Sequence, residues 1–337
     1  GAQSTCQNHA MSSFPFATPT PEVVQVSFSR LVTVREPACE AGVRLPRRIG
    51  TRMGQRCSLS LPIVVVAAAV VYIYFSTVFV FMDAWFGLMT STGIMNAAIF
   101  TALAIACVFN YVLAIFTGPG RVPSNFSPDI EDPDSPIHEV KRKGGDLRYC
   151  QKCSHYKPPR AHHCRVCKTC VLRMDHHCIW INNCVGYANY KIFFIFVVYS
   201  VIECIYALVM LLGSLTMDAK EEDNMENGGS LRILYVLSGL LLVPVSVALC
   251  VLLCWHIHLI LQNMTTIEFH EGVRARWLAD VAGAVYKHPY DLGAYENLTS
   301  VLGPSSFCWL CPTSTHIGSG LRFPTAYQRE LAVSTPR

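Results

Sequence analysis

The chain has 337 residues, of which 52% are hydrophobic and only 15% charged, with a formal net charge of +4. A soluble globule carries about a quarter charged residues, so this composition excludes an ordinary water-facing domain for much of the chain. Sixteen cysteines suggest disulfides in a small secreted protein, but no amino-terminal secretory signal with a cleavage site is visible. Seven of them crowd into residues 150–184, a pattern of metal binding or catalysis in a reducing compartment.

Residues 1–52 lack apolar periodicity, and residues 1–58 read as a disordered cytosolic segment. The chain starts with Gly, and Met53 is a candidate initiator ahead of "MGQRCS". Residues 59–117 hold two stretches able to cross a bilayer, Leu61–Met82 and a stretch within Ile94–Thr117, both without charge. A bilayer core of about 30 Å takes roughly 20 helical residues. Residues 118–190 begin with a Pro- and Asp-rich connector and continue into the Cys-rich region. Residues 191–261 hold two further spans, Ile192–Met217 with the single charge Glu203, and Ile233–Leu261 with Pro244, a kink that a membrane helix tolerates. Residues 262–337 mix short amphipathic pieces with turns, and no repeat of solenoid length appears.

Orientation follows from the loops. Arg44, Arg47, Arg48, Arg52 and Arg56 precede the first span, and eleven Lys or Arg residues from Arg121 to Arg173 lie between the second and third. The opposite loops are short and poor in basic residues. The positive-inside rule then places both termini and the Cys-rich region in the cytosol, where thiols stay reduced.

Within that region Cys150/Cys153 and Cys164/Cys167 form two Cys-x-x-Cys knuckles. Structural zinc takes four N or S ligands, so two ions need eight, and the region offers seven Cys and five His. Some residues must therefore do something else, and spacing alone does not choose between His176 and His177. Interleaved His and Cys favour zinc over an iron–sulfur cluster, and metal would supply folding free energy to a region too short and polar to bury a core. The basic residues are scattered without an aromatic stacking platform, which with four spans speaks against nucleic acid.

The run "CQKCSHYKPPRAHHCRVCKTCVLRMDHHCIWINNCVGYANYKIFF", residues 150–194, closely resembles the Cys-rich domain of the DHHC protein S-acyltransferases (palmitoyltransferases), and its wording is most like plant members. The resemblance implies a mostly α integral membrane protein, with four transmembrane helices and a cytosolic two-zinc domain between the second and third. It implies one structural zinc on Cys150, Cys153, His163 and Cys170 and another on Cys164, Cys167, His177 and Cys184. Asp175, His176 and Cys178 stay outside both shells as catalytic residues. Thr265, Thr266 and Glu268 of "TTIE" match the family's Thr-Thr-x-Glu and would brace the site, and Asn297 matches its carboxy-terminal structural Asn. One departure is Gly118-Pro119-Gly120, where the family's usual run is Asp-Pro-Gly.

The implied reaction moves a long-chain acyl group from fatty acyl-CoA through a Cys178 thioester to cysteines of cytosolic or membrane-associated proteins near the bilayer, at an endomembrane (the Golgi foremost) or the plasma membrane. His176 would take the thiol proton and Asp175 would orient the imidazole. The competing reading is a membrane-anchored zinc module that recruits partners as a scaffold or a ubiquitin ligase does. A spare Cys beside an Asp-His pair favours the enzyme. An ionisable residue inside a span is a candidate functional group, so Glu203 is assigned to a possible acyl cavity. His155 and His162 read as surface or hydrogen-bonded, His256 and His258 as interfacial, Trp180 and Tyr190 as packing or interface anchors. Cys308/Cys311 lack zinc partners and are candidate acylation targets.

Overall fold

The computed structural model describes residues 60–128, 147–221, 229–313 and 318–326. The arginines ahead of the first span, Met53 and the acidic part of the connector lie outside them. Four helices are long and apolar enough to cross a membrane: α1, Leu61–Phe86; α2, Ser91–Phe116; α3, Tyr190–Glu221; and α4, Gly229–Leu261. They fit a multi-pass membrane protein.

α1 runs four residues beyond the stretch read from the sequence. A π turn over Thr77–Phe81 re-phases the helix and buries Phe81 and Met82. Gly87, at φ 75°, ends it in a conformation that costs glycine little. Thr90 then caps α2 by accepting a hydrogen bond from the Gly93 amide, so the expected eleven-residue connection shrinks to a tight turn. α3 packs against α1, α2 and α4 and is the most buried of the four. α1 and α4 keep outward faces of Val, Leu and Ile, as lipid contact requires. Pro244 sits inside α4 without ending it.

Between α2 and α3 the chain folds into three antiparallel hairpins: β1, Tyr149–Cys150, with β2, His155–Tyr156; β3, His162–Cys164, with β4, Thr169–Val171; and β5, His176–Cys178, with β6, Asn183–Val185. Their registers repeat. Cys150 opposes His155, Cys164 opposes Thr169 and Cys178 opposes Asn183, so one pattern recurs every 14 residues. The turn residue before each second strand, Ser154, Lys168 or Asn182, has positive φ. Two-stranded pieces this short are not stable alone. Around the first two hairpins the buried apolar clusters hold, besides Val122, Ala161, Val171, Leu172 and Met174, only cysteines among the described residues.

After α4 come α5, Thr266–Val281, and α6, Ala294–Leu302. Asn297 is fully buried and its amide bonds the Leu261 carbonyl at 2.8 Å and the Asp291 carboxylate at 2.7 Å, while its carbonyl accepts from the Leu292 amide. It thereby ties the carboxy-terminal region to the end of α4.

Candidate active site and metal centres

The hairpins place two donor groups. Cys150, Cys153, His163 and Cys170 converge, with ligand atoms within 4.8 Å of one another, and so do Cys164, Cys167, His177 and Cys184. The three sulfurs of the first lie 3.2–3.9 Å from His163 Nδ1. Those of the second lie 3.5–3.7 Å from His177 Nδ1. Four ligands about 2.0–2.3 Å from one tetrahedral ion stand about 3.5 Å apart, so both groups fit zinc without rearrangement.

Each group takes the Cys-x-x-Cys turn of one hairpin and the opposed His–Cys pair of the next, since His163 faces Cys170 and His177 faces Cys184. The sites are therefore interleaved. The third hairpin has its own knuckle position, Cys178, but Ile181 stands where the second Cys would be, and the chain enters α3 where a fourth His–Cys pair would stand. Cys178 thus occupies a ligand position in a hairpin that lacks the rest of a ligand set.

Beside that thiol Thr266, Asp175 and His176 are hydrogen-bonded in series. His176 precedes His177 and faces away from the donor groups. Its Nδ1–H donates to Asp175 Oδ2 at 2.6 Å, and Cys178 follows two residues on in the same strand, so both side chains share one face. Burial disfavours the imidazolium, but the Asp175 bond and the Asp175 and Cys178 charges outweigh it and push the His176 pKa up to about 9. Asp175 is wholly buried, which would raise its pKa, yet the His176 bond and charge hold it below the usual carboxylate value.

Asp175 is held by the amino terminus of α5. Thr266 donates its amide to Oδ1 and its hydroxyl to Oδ2, both at 2.9 Å, where the helix dipole also favours an anion. That terminus is itself fixed by a capping box. Thr265 Oγ1 accepts the Glu268 amide at 3.2 Å, and Glu268 accepts the Thr265 amide at 2.9 Å. Glu268 also forms a two-pronged pair with buried Arg160, at 2.7 and 2.8 Å. Burial works against the carboxylate, but Arg160 dominates and brings the Glu268 pKa down to about 2. Arg160 further binds Asn263 and lies 4.3 Å under the Tyr290 ring.

Several contributors escaped the sequence reading. His256 was expected at the interface; instead it is 1% exposed. Its Nδ1 is 2.9 Å from the Tyr190 hydroxyl and its ring 5.9 Å from that of His176. The polar edge of the ring finds Tyr190 inside the protein, which removes the reason to face the interface. His258, next on the other face of α4, is exposed beside Trp255. Tyr190 is buried packing and Trp180 is half exposed; the Trp180 carbonyl accepts from Tyr111 of α2. His155 bonds the Tyr156 carbonyl and His162 is partly buried; neither joins a donor group.

The end of α2, ahead of Gly118-Pro119-Gly120, is held from the third hairpin. The last carbonyls of α2, which need partners, are capped from β6: Asn183 donates to the Ala114 and Thr117 carbonyls at 3.1 and 2.8 Å. Asn189 adds a bond to Thr117 at 3.3 Å. Gly186 permits this approach, because a Cβ there would strike Val171 and the Pro119 carbonyl. Cys178 shares one apolar cluster with Tyr111, Ile181, Phe193, Val301 and Trp309, so its surroundings open onto α2, α3 and the carboxy-terminal region. Glu203 lies deep in α3, 4% exposed, beside Cys107, and its Oε1 lacks a hydrogen-bond partner.

The DHHC palmitoyltransferase family model matches residues 143–273. The chain is 67% identical to probable protein S-acyltransferase 16 of Arabidopsis thaliana, over 80% of this chain and 93% of that protein. It is 48% identical to probable protein S-acyltransferase 15 of the same plant, over 72% and 93%, and 29% identical to palmitoyltransferase ZDHHC15A of Danio rerio, over 81% and 88%. The chain belongs to the DHHC palmitoyltransferase family, and among these relatives it is most like the plant members.

Proposed function

We propose that this protein is a protein-cysteine S-palmitoyltransferase that carries a long-chain acyl group from acyl-CoA to target proteins on Cys178. The observation that carries the reading is the hydrogen-bonded set Thr266–Asp175–His176 with the Cys178 thiol on the same strand face two residues from His176. Cys178 Sγ gives its proton to His176 and attacks the thioester carbonyl carbon. The carbon–sulfur bond to CoA breaks, and the CoA sulfur takes the proton back from His176. In the second half, a target thiol gives its proton to His176 and attacks the acyl-enzyme carbonyl. Cys178 then leaves as a thiolate and is reprotonated. Asp175 favours the imidazolium formed in each half. One thioester replaces another, so the enzyme has a barrier to lower rather than an uphill reaction to drive.

Zinc on the two donor groups would supply folding free energy to the hairpins and takes no part in the transfer. We assign Cys150, Cys153, His163 and Cys170 to one ion and Cys164, Cys167, His177 and Cys184 to the other. The distribution of basic residues supports a cytosolic face for the hairpins, so that the CoA head group stays in water while its chain enters the helices. Each buried methylene contributes about 0.8 kcal/mol. Glu203, with its orphan oxygen roughly 18 Å along α3 from Lys191 by helical rise, would end the acyl cavity and limit chain length. Protein targets carry cysteines close to the bilayer of an endomembrane or the plasma membrane.

The test is incubation of zinc-loaded protein with labelled palmitoyl-CoA. Wild type acquires a label released by hydroxylamine, and Cys178→Ser acquires none while keeping two zinc ions. Label on the Ser variant's Cys-rich domain, or loss of its zinc, removes Cys178 from the role of nucleophile and leaves the zinc scaffold as the better reading.

A further inference from the structure

A second polar site lies where the third hairpin, α3 and the carboxy-terminal region meet. A cavity of about 80 Å³ is lined by Arg173, Lys191 and Arg322, with Tyr190, Asn263 and Phe323 among its other walls, and by no acidic side chain. Arg173 is 5% exposed and Lys191 3% exposed. The buried carboxylates nearby are committed elsewhere, Glu268 to Arg160 and Asp175 to His176 and Thr266. Lys191 donates only to neutral acceptors, the Cys308 carbonyl at 2.8 Å and Thr313 Oγ1 at 3.1 Å. Arg173 donates to Asn263 Oδ1 at 3.2 Å and stacks over Tyr190, while its buried Nε has no hydrogen-bond partner among the described residues.

Two buried cations without a salt-bridge partner among the described residues, one with an unsatisfied donor, form an arrangement that a bound anion would stabilise. Guanidinium and ammonium groups converging on one small space suit tetrahedral oxyanions. The volume admits a phosphate group but not a nucleotide. Lys191 is the second residue of α3, so the cavity lies at the end of a candidate membrane span.

We propose that this cavity binds one phosphate group, as the free anion, as the head group of an anionic phospholipid, or as a terminal phosphate of the acyl donor. The free-anion and lipid sources are independent of the acyl-transfer reading, no step of which uses Arg173, Lys191 or Arg322, and the acyl-donor source rests on that reading.

Full-length, zinc-loaded protein in phosphatidylcholine nanodiscs is titrated with inorganic phosphate and with CoA at matched ionic strength, and prepared separately in discs containing phosphatidic acid. Thermal unfolding and calorimetric binding are the readouts. Saturable stabilisation is expected in at least one arm, and the arm identifies the source of the phosphate. Arg173→Gln and Arg322→Gln should each weaken binding roughly tenfold or more, as loss of a charge-assisted bond implies. If Arg173→Gln loses its zinc, the exposed rim variant Arg322→Gln alone decides. Absence of saturable binding in all three arms, or undiminished binding in a zinc-retaining variant, overturns the proposal.

Discussion

The second and third hairpins are built on one plan and face different chemical situations. Both open with a His-His-Cys strand, turn through a residue at positive φ, and return with the residue opposite the Cys one place before a metal-donor position. In the second, Cys164 meets Cys167 and the two donors supplied by the third hairpin. In the third, Cys178 meets Ile181 and no further pair, because the chain has become α3. A thiol shaped for a metal but without one stays available to react. The lesson is that a nucleophile can be obtained from a structural module by removing its partners while keeping its geometry.

That contrast can be broken from either side. The largest effect is expected from Cys184→Ser, which takes one donor from a closed set. It should lose zinc, protease resistance and acyl transfer together, with metal content per chain as the measurement. A variant that keeps two zinc ions and full activity shows that Cys184 is no ligand.

His176→Ala should keep both metals and slow acyl-enzyme formation by about 10²–10⁴-fold, the usual range for a lost general base. The sign of its pH dependence is fixed by His176's raised pKa of about 9. In wild type the imidazolium that accompanies a thiolate persists up to that region and is lost above it. In the variant, formation should instead climb with pH as thiols ionise unaided. Rate against pH for the two proteins is the check, and parallel profiles would falsify the assignment.

Thr266→Val removes the hydroxyl bond to Asp175 and leaves the amide bond in place. Loss of one charge-assisted bond of about 1.5 kcal/mol should lower acyl-enzyme formation roughly tenfold with zinc content unchanged, and Thr266→Ser should restore it. The smallest effect sharpens the comparison from the other direction. Ile181→Cys rebuilds the knuckle, so added zinc should inhibit this variant reversibly and leave wild type unaffected, with recovery on chelation. Equal zinc sensitivity in both would show that the missing second Cys is not what keeps Cys178 unliganded.

Much of this was legible in the sequence, for identifiable reasons. Four apolar runs announce membrane helices because lipid tolerates little else, and Thr265–Glu268 has the spacing of a capping box. The order of the Cys-rich run carries the family resemblance. The choice between His176 and His177 was closed to spacing, since adjacent residues differ only in the strand face they occupy. The register supplies it, with His177 opposite Cys184. Arg160, Asn263 and His256 stayed hidden because their partners lie 66–108 residues away in the chain. The 14-residue recurrence was present in the text of the sequence, in Cys150, Cys164 and Cys178, but is too short to register as a solenoid period, and its third copy is incomplete.

Asn183 carries a mechanical consequence. Its backbone pairs with Cys178 while its side chain grips the last carbonyls of α2, so hairpin and helix end move as one lever. The position of the thiol relative to α2 is therefore set by this grip rather than by the length of the connector that follows the helix. A bilayer that tilts its helices would carry the thiol along with α2.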